Sequence, residues 1–419
     1  MSLNELQEEA YAAFFRHENL FLTGSAGTGK SHVLKEINKV ALRKGLKVGL
    51  TATTGSASHL IGGRTIHSFL GIGLGKGTAA QLASATAAKN KPVLKKLKTL
   101  DVLVIEEVSM LEEELFEKIS DYLSLIRQCT KPFGGLQVFV LGDFCQLPPI
   151  SKGGTGPKYC FKSNVWSSMK FTTVQLRDLV RQHTDPLLQG ILEQVRWGKC
   201  DKETLATLKG WMMVEDDSEE EEPNSTQVQP TRLYPMNINV DAINDAAYKK
   251  LIKDGSVESA TYETKYSSAM SKSWALSSKI PERVKLCVGA QVVVTWNVNQ
   301  AIGIVNGSRG VVVEVKPECV HVRDTSGRII VIDMVTITTD LLAVTYMPLR
   351  LAYALTIHRC QGMTLDTVII DLGSSIFEYG QAYTALSRVR DSGSIKLVSV
   401  EAKSFKCHPD VMDFYASLV

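Results

Sequence analysis

An α/β protein with two parallel-sheet domains is the fold class that the sequence predicts, on three observations. The chain has 419 residues, more than one ordinary domain holds, so two or three compact units are expected. Short apolar runs alternate with helical patterns over residues 1–175, as in a parallel sheet with crossover helices. The same alternation returns after Leu349. We therefore predict a first domain over 1–175 and a second over 176–419.

The first domain is expected to contain an insertion at about 68–98. Its strands are predicted at Leu20–Leu22, Val48–Thr51, Val102–Ile105 and Val138–Leu141. Between the second and third of these, the Gly-, Ala- and Lys-rich stretch Gly71–Lys98 interrupts the alternation. Its lysines could contact a phosphate backbone. We favour the interpretation that these lysines lie on the solvent-facing side of a helix whose Val93, Leu94 and Leu97 face inward.

The second domain is expected to contain a β-rich insertion at about 300–345. Here β-branched runs are predicted as strands at Gln291–Trp296, Gly310–Val315, Val320–Val322 and Ile329–Ile332. Asn306-Gly307 and Ser326-Gly327 supply turns, as in a small β-barrel or sheet. Around this insertion we predict a strand at Arg232–Pro235, a helix at Val240–Leu251 and strands near Leu351–Leu355, Val368–Asp371 and Ile395–Val400. The acidic run at 215–222 is expected to form a surface loop.

Composition limits the class of protein. A net charge of +3 permits a nucleic-acid partner without requiring one. The eight cysteines are scattered without a C-x-x-C pair, so a zinc site is not expected and a reducing compartment is. No apolar run is long enough to span a bilayer, and the N-terminus lacks a signal-peptide pattern. We expect a soluble intracellular protein that does not bind membranes.

A phosphate-binding loop is the strongest motif. Gly24-Ser25-Ala26-Gly27-Thr28-Gly29-Lys30-Ser31 matches the pattern G-x-x-x-x-G-K-[ST], between an apolar strand and a helical pattern. The backbone N–H groups of Gly27, Thr28 and Gly29 would cradle phosphates. Lys30 would bridge the β and γ phosphates of ATP, and the Ser31 hydroxyl would hold Mg²⁺.

An acidic pair follows a buried strand. Glu106 and Glu107 come directly after Val102–Ile105, so they lie at the carboxyl edge of the predicted sheet. Glu106 would hold Mg²⁺ through water, and Glu107 would orient and polarise the attacking water. Together with the phosphate loop, the pair predicts a nucleoside triphosphatase.

Four segments together resemble the Pif-type helicases, of the 5′→3′ branch of helicase superfamily 1. They are Gly24–Ser31, Ile105–Met110, Lys131–Pro149 and Leu355–Leu365. Matching segments run from about Leu3 to about Val400, nearly the whole chain. The resemblance implies two RecA-like P-loop domains, a small wedge insertion in the first and a small SH3-like β-barrel in the second.

The resemblance also implies roles for further residues in the nucleotide site. Gln7 would read the adenine edge, Gln146 would sense the γ-phosphate, and Gly362 would line the nucleotide site. Arg181 would be a catalytic arginine contributed by the second domain, and Arg388 would be the arginine finger. Two arginines that reach across a cleft neutralise charge as the γ-phosphoryl leaves. The alternative is that both are surface arginines with structural partners.

Residues for DNA contact are implied in the same way. Thr53, His67, Thr356 and His358 fall in the family's strand-contacting motifs, where hydroxyls and imidazoles suit phosphate and sugar. Phe69 and Tyr346 are as consistent with core positions as with base-stacking platforms.

Two positions depart from the family pattern. Glu106 stands where the family has Asp, and its extra methylene changes how a Mg²⁺-bound water is reached. Arg359-Cys360 stands where Lys-Ser is usual, so a positive charge is kept and a hydroxyl is lost.

The function expected from this sequence is ATP-dependent 5′→3′ translocation on single-stranded DNA with unwinding of duplex or structured DNA. ATP and Mg²⁺ would be its cofactors, and single-stranded and forked DNA its partners, in replication, repair and recombination. It is expected to be a monomer, in the nucleus or mitochondrion of a eukaryote or the cytoplasm of a bacterium or a virus-infected cell. The alternatives are a translocase that displaces proteins with little unwinding, and a P-loop small-molecule kinase.

Overall fold

The computed structural model describes residues 3–73, 75–150, 156–213, 227–253, 255–277, 280–296, 298–299, 304, 306–339 and 342–418. The acidic run predicted at 215–222 lies outside these residues.

The strands are, in chain order, β1 Leu20–Gly24, β2 Val48–Ala52, β3 Arg64–Thr65, β4 Val102–Glu106, β5 Gln137–Leu141, β6 Thr172–Leu176, β7 Thr231–Tyr234, β8 Ser259–Glu263, β9 Lys265–Tyr266, β10 Arg283–Cys287, β11 Gln291–Val294, β12 Arg309–Val315, β13 Cys319–Asp324, β14 Ile329–Asp333, β15 Val335–Thr339, β16 Leu342–Tyr346, β17 Leu349–Leu351, β18 Ala354–Thr356, β19 Val368–Leu372 and β20 Ile395–Val400.

The α-helices are α1 Glu5–Phe15, α2 Lys30–Arg43, α3 Gly55–Leu60, α4 Ile66–Leu70, α5 Ala79–Lys89, α6 Lys91–Lys98, α7 Glu113–Arg127, α8 Asn164–Met169, α9 Pro186–Arg196, α10 Lys202–Lys209, α11 Asn237–Leu251, α12 Ala269–Ser277, α13 Gln381–Leu386 and α14 Pro409–Ala416.

The first sheet is parallel throughout, with strand order β3-β2-β4-β5-β1-β6. Strands β1 and β4 are buried at every position, which explains their continuous apolar sequence. The four predicted strands correspond to β1, β2, β4 and β5. Two strands were not predicted: β3, which has only two residues, and β6, whose sequence Thr-Thr-Val-Gln-Leu is mostly polar.

Between α4 and β4 the chain forms helices α5 and α6, which pack against α7. Leu97 is buried, and Val93 and Leu94 pack against the core, as the helical interpretation expects. Lys96 donates from Nζ to Phe69 O over 2.5 Å and lies 3.8 Å from the centre of the Phe69 ring. Phe69 is buried, so it is a core residue and not a base platform.

The second parallel sheet has the order β18-β7-β19-β20. The single strand predicted at Leu351–Leu355 is wrong, because two strands lie there. β17 pairs antiparallel with β11, whereas β18 pairs parallel with β7. The chain changes sheets at Ala352 and Tyr353, and the uninterrupted apolar sequence hides this change.

Antiparallel strands separate α11 from β18. Five of them form the sheet β14-β13-β12-β11-β17. The others form a two-stranded sheet, β10-β8, and a three-stranded sheet, β15-β16-β9. They run from Ser259 to Leu351, a wider span than 300–345. The turn at Ser326-Gly327 closes the β13–β14 hairpin, where the Asp324 carboxylate accepts bonds from the backbone N–H groups of Ser326 and Arg328.

The last helix returns to the first sheet. The Phe414 ring stacks on Phe161 at 4.3 Å and lies 5.9 Å from Phe21 of β1. The Tyr415 hydroxyl lies 2.7 Å from Thr23 Oγ1. Helix α14 therefore packs against the first sheet, although it ends the segment assigned to the second domain.

Candidate nucleotide and DNA sites

The phosphate loop joins β1 to α2. Gly29 precedes α2 with a φ of 90°, a left-handed conformation that favours glycine. Gly27 lies so close to the segment after β6 that a Cβ there would stand 2.7 Å from Arg181 Cβ. The backbone N–H groups of Val180 and Arg181 donate to Gly27 O over 3.0 and 3.2 Å. The close approach at Gly27 therefore requires glycine, and the segment after β6 supports the loop through these two backbone hydrogen bonds.

Lys30 lies inside the loop. Its Nζ donates to Gly24 O over 2.7 Å and to Ser25 O over 3.0 Å. Burial lowers the pKa of the Lys30 ammonium, and the negative charges of Asp143 and Glu107 oppose that shift. The ammonium is thus placed where the phosphates of a nucleotide can replace two carbonyl oxygens.

Glu106 meets Ser31. Ser31 Oγ donates to Glu106 Oε1 over 2.8 Å, so the longer side chain still reaches the hydroxyl. Glu106 Oε2 is buried and has no hydrogen-bond partner among the described residues. Burial raises the pKa of Glu106, and the charge of Glu107 raises it further. A bound cation would oppose both effects, and Mg²⁺ prefers such oxygen ligands, so Ser31 and Glu106 fit a magnesium site.

The backbone of Glu107 is left-handed, with φ 55° and ψ 46°. Residues other than glycine adopt this conformation only where the surrounding structure imposes it. Gln361 Nε2, from the segment after β18, donates to Glu107 Oε2 over 3.0 Å. Gly362 also lies here, since a Cβ on it would stand 4.0 Å from Glu107 Oε1. The predicted Gly362 is therefore next to the acid. Gln361 was not among the predicted site residues, although it precedes Gly362 in the same motif.

Gln146 lines the nucleotide cleft, whereas Gln7 lies beside the phosphate loop. Gln146 is buried after β5, and its side chain lines the cleft. Gln7 Oε1 accepts from the backbone N–H of Asn4 over 3.2 Å, which completes the N-terminal cap of α1. Its Nε2 lies against Gly29, 3.0 Å from where a Cβ would be. Gln7 thus contacts the phosphate loop directly while it caps a helix.

Arg181 and Arg388 both line the nucleotide cleft, which has a volume of about 1250 Å³. Arg181 Nη1 donates to Ser387 O over 2.8 Å. Arg388 is folded onto its own helix, with Nε donating to Thr384 O over 2.8 Å. Burial lowers the pKa of Arg181, and the charge of Arg388 adds to the effect. Guanidinium groups keep their proton at neutral pH, so the cleft concentrates positive charge opposite Lys30.

Thr28 is buried and supports the phosphate loop from within. Thr28 Oγ1 donates to Ser25 O over 2.9 Å, a bond inside the phosphate loop. Arg390 lines the nucleotide cleft and was not predicted.

A second cavity, of about 500 Å³, lies between the two parallel sheets. From the first-sheet side it is lined by Thr54, Gly55, Met110 and Ile150, and from the other side by residues that include Met236, Arg350, Thr356, His358 and Arg359. Two of the four residues predicted to contact DNA, Thr356 and His358, therefore line it.

The other two predicted DNA contacts lie elsewhere. Thr53 Oγ1 donates to Glu107 O over 2.8 Å, and its backbone N–H donates to Glu106 O over 3.1 Å. It supports the acidic pair and is followed by the cavity residue Thr54. His67 lies in α4 beside Gly75, and burial lowers the pKa of its imidazole. Tyr346 lines the cavity, but only 2% of it is exposed, as expected of a core residue.

None of the helices in the described part of the chain combines the length and the apolar character that a bilayer crossing requires.

Comparison with known proteins agrees with this arrangement. A family model described as PIF1-like helicase matches residues 2–203, and one described as the 2B domain of DNA helicase Pif1 matches residues 276–315. The human ATP-dependent DNA helicase PIF1 is 35% identical over 99% of this chain, which spans 64% of that relative's length. The ATP-dependent DNA helicase Pif1 of Bdellovibrio bacteriovorus is 34% identical over 95% of this chain and 88% of its own. A crystal structure of Bacteroides Pif1 with ADP-AlF4 superposes with a TM-score of 0.82 at 26% identity, covering 100% of this chain and 97% of that one.

Proposed function

The chain belongs to the PIF1-like helicase family, and from that premise we propose that it hydrolyses ATP to move 5′→3′ along single-stranded DNA and to separate the strands of a duplex. The substrates are ATP and single-stranded or forked DNA.

The contacts of Glu107 carry the proposal. Its carboxylate accepts from Gln361, and its backbone carbonyl accepts from Thr53. Two residues close to these contacts, Thr54 and Arg359, line the second cavity. Thr54 directly follows Thr53, and Arg359 precedes Gln361 by two residues. A strand bound in that cavity would therefore touch both segments that hold the catalytic acid, which gives a physical reason for DNA to stimulate hydrolysis.

Hydrolysis would proceed by charge stabilisation across the first cleft. Lys30 grips the β and γ phosphates, Glu107 orients the attacking water, and Gln146 contacts the γ-phosphate. Arg181 and Arg388 neutralise charge on the leaving phosphoryl group from the opposite wall. Ser31 and Glu106 would hold Mg²⁺, which would supply positive charge to offset the charge of the phosphates.

The second cavity suits a strand read by its backbone. Thr356, His358, Arg350 and Arg359 offer hydroxyl, imidazole and guanidinium groups, which bind phosphate and sugar without sequence information. Ile150 and Met236, which are 72% and 54% exposed, stand on its two sides and offer apolar surface to bases. The helices of the insertion at 68–98 would act as the wedge that splits the duplex.

The alternative is a DNA-stimulated translocase that displaces bound proteins with little unwinding. We propose the unwinding enzyme, acting as a monomer, in the nucleus or mitochondrion of a eukaryote or the cytoplasm of a bacterium or virus-infected cell. The test is ATP turnover with and without single-stranded DNA, followed by displacement of a strand from a forked duplex. K30A is the control for contaminating ATPase. Turnover that ignores DNA would reject the proposal, and turnover without strand displacement would favour the translocase.

A further inference from the structure

Tyr383 connects the phosphate loop to the segment that carries Gln146. Its hydroxyl accepts a hydrogen bond from the backbone N–H of Ala26 over 2.9 Å. The same hydroxyl donates to Asp143 Oδ2 over 3.3 Å. The side chain is 2% exposed, so solvent does not compete for these bonds. One oxygen atom thus bridges two strand-end segments of the first sheet from a helix that precedes β20 of the second.

The acceptor of this bridge is held rigidly. Arg196 donates to both oxygens of Asp143, over 3.0 and 2.9 Å. Tyr415 of α14 donates to Asp143 Oδ1 over 3.1 Å. Burial alone would raise the pKa of Asp143, but the charge and hydrogen bonds of Arg196 hold it below its ordinary value. Because the carboxylate is ionised and cannot donate, the Tyr383 hydroxyl must point its hydrogen at Asp143 and its lone pair at Ala26.

Helix α13 is in close contact with the same part of the first sheet at its N-terminal end. Gly380 precedes the helix, and a Cβ there would stand 2.4 Å from the carbonyl oxygens of both Cys145 and Gln146. No side chain fits this gap. The helix therefore meets the first sheet at two points, Gly380 and the Tyr383 hydroxyl.

The arginine finger follows directly on this helix. The backbone N–H of Ser387 donates to Tyr383 O over 3.0 Å, and Arg388 is the next residue. The Arg388 guanidinium bonds back to Thr384 O, in the same helical turn as Tyr383. A shift of α13 against the phosphate loop would therefore move Arg388 by a similar distance relative to the γ-phosphate position. Misplacement of a charged group by about 1 Å is enough to reduce catalysis strongly.

We propose that Tyr383 is a positioning residue, whose hydroxyl fixes α13 against the phosphate loop and so sets the reach of Arg388 during hydrolysis. This inference rests on the proposed ATPase function and goes beyond the roles implied for Lys30, Gln146 and Arg388. Tyr383 does not line the nucleotide cleft, so it acts through Arg388.

The test uses the full-length chain and the variant Y383F, which keeps the ring and removes the hydroxyl. We expect kcat for DNA-stimulated ATP hydrolysis to fall about tenfold, the effect of one lost buried hydrogen bond on the transition state. The affinity for a fluorescent ATP analogue should stay within about twofold, because Tyr383 does not line the nucleotide cleft.

Y415F is the matched control. It removes a hydroxyl that bonds to the same carboxylate, to Thr23 Oγ1 and to the backbone N–H of Phe144, but to neither the phosphate loop nor α13, so its kcat should stay within about twofold of wild type. Melting temperatures of all variants set an assay temperature at which each is folded.

A double-mutant cycle with R388A separates positioning from a structural role. If Tyr383 acts through Arg388, the Y383F change should have no further effect on kcat in the R388A background. A Y383F kcat within twofold of wild type, an equal loss in Y415F, or a repeated tenfold loss in the R388A background would each overturn the inference. Wild-type ATPase is measured first, and its absence would instead reject the proposed function.

Discussion

Gln361 Nε2 lies 3.0 Å from Glu107 Oε2 and donates a hydrogen bond to it, so a side chain that follows β18 of the second sheet holds the acid that follows β4 of the first. The segment with Gln361 also lines the second cavity through His358 and Arg359. This contact is one of two links in the described structure between the second cavity and the acid proposed to activate water; the other is Thr53 Oγ1, which donates to Glu107 O.

Gln361→Ala should reduce the stimulation of ATP turnover by single-stranded DNA about tenfold, because the hydrogen bond that links the second cavity to the Glu107 carboxylate is lost. The measurement is the ratio of kcat with and without DNA. Gln361→Glu is the matched variant, since it keeps the length but places a second carboxylate against Glu107, and it should lose stimulation too. Wild-type stimulation in Q361A would show that DNA acts on Glu107 by another route.

Glu107→Gln should bind ATP with nearly unchanged affinity and hydrolyse it about a hundredfold more slowly or worse, because an amide does not polarise water as a carboxylate does. Nucleotide binding by fluorescence and single-turnover hydrolysis check the two halves of this expectation. Lys30→Ala, the control, should lose affinity as well as turnover. Normal hydrolysis by E107Q would make the acid structural.

Glu106→Asp should keep turnover within about threefold of wild type, because it restores the family's usual acid at the proposed Mg²⁺ site. Glu106→Gln should lose turnover, since the amide removes the charge beside Ser31. Titration of Mg²⁺ against ATPase rate compares the variants. The expectation for this site fails if E106Q is as active as wild type.

DNA binding should weaken steeply with salt and be nearly indifferent to base sequence, as expected for contacts to the backbone. For two to four contacted phosphates, affinity for single-stranded DNA should fall about sevenfold to fiftyfold between 50 and 200 mM salt. Fluorescence anisotropy with oligonucleotides of different sequence gives both quantities. A flat salt response, or strong preference for one short sequence, would contradict the backbone-reading groove.

A duplex with a 5′ single-stranded tail should be unwound, and one with only a 3′ tail should not. The catalytic residues do not determine this direction, because it depends on which domain grips the strand more tightly in each nucleotide state. The expectation therefore rests on the resemblance of Lys131–Pro149 to the 5′→3′ branch. Strand displacement on matched substrates at low salt and saturating ATP is the measurement. Opening of the 3′-tailed duplex alone would reverse the polarity and leave the ATPase assignment in place.

Local sequence patterns were sufficient to predict much of the candidate nucleotide site. The phosphate loop, with Lys30 and Ser31, and the acids after β4 are defined by consecutive residues whose backbone chemistry depends on neighbours in sequence. The same holds for β1, β2, β4 and β5, whose short apolar runs predict strands; β1 and β4 are buried at every position. Motif resemblance added Gln146, Arg181 and Arg388, which the structure places along the same cleft.

The sequence by itself determined the family, the fold class and the chemistry of the phosphate-binding loop, because each is written in residues close together along the chain. Only the tertiary structure decided which distant residues complete the site. Gln361 meets Glu107 across 254 positions, and Tyr383 meets Ala26 across 357. It also decided that Thr53 supports the acids, that Leu349–Leu351 and Ala354–Thr356 belong to different sheets, and that α14 packs on the first sheet. The physical reason is that these contacts depend on the packing of whole sheets and helices, which leaves no periodic or local signal in the residues that make them.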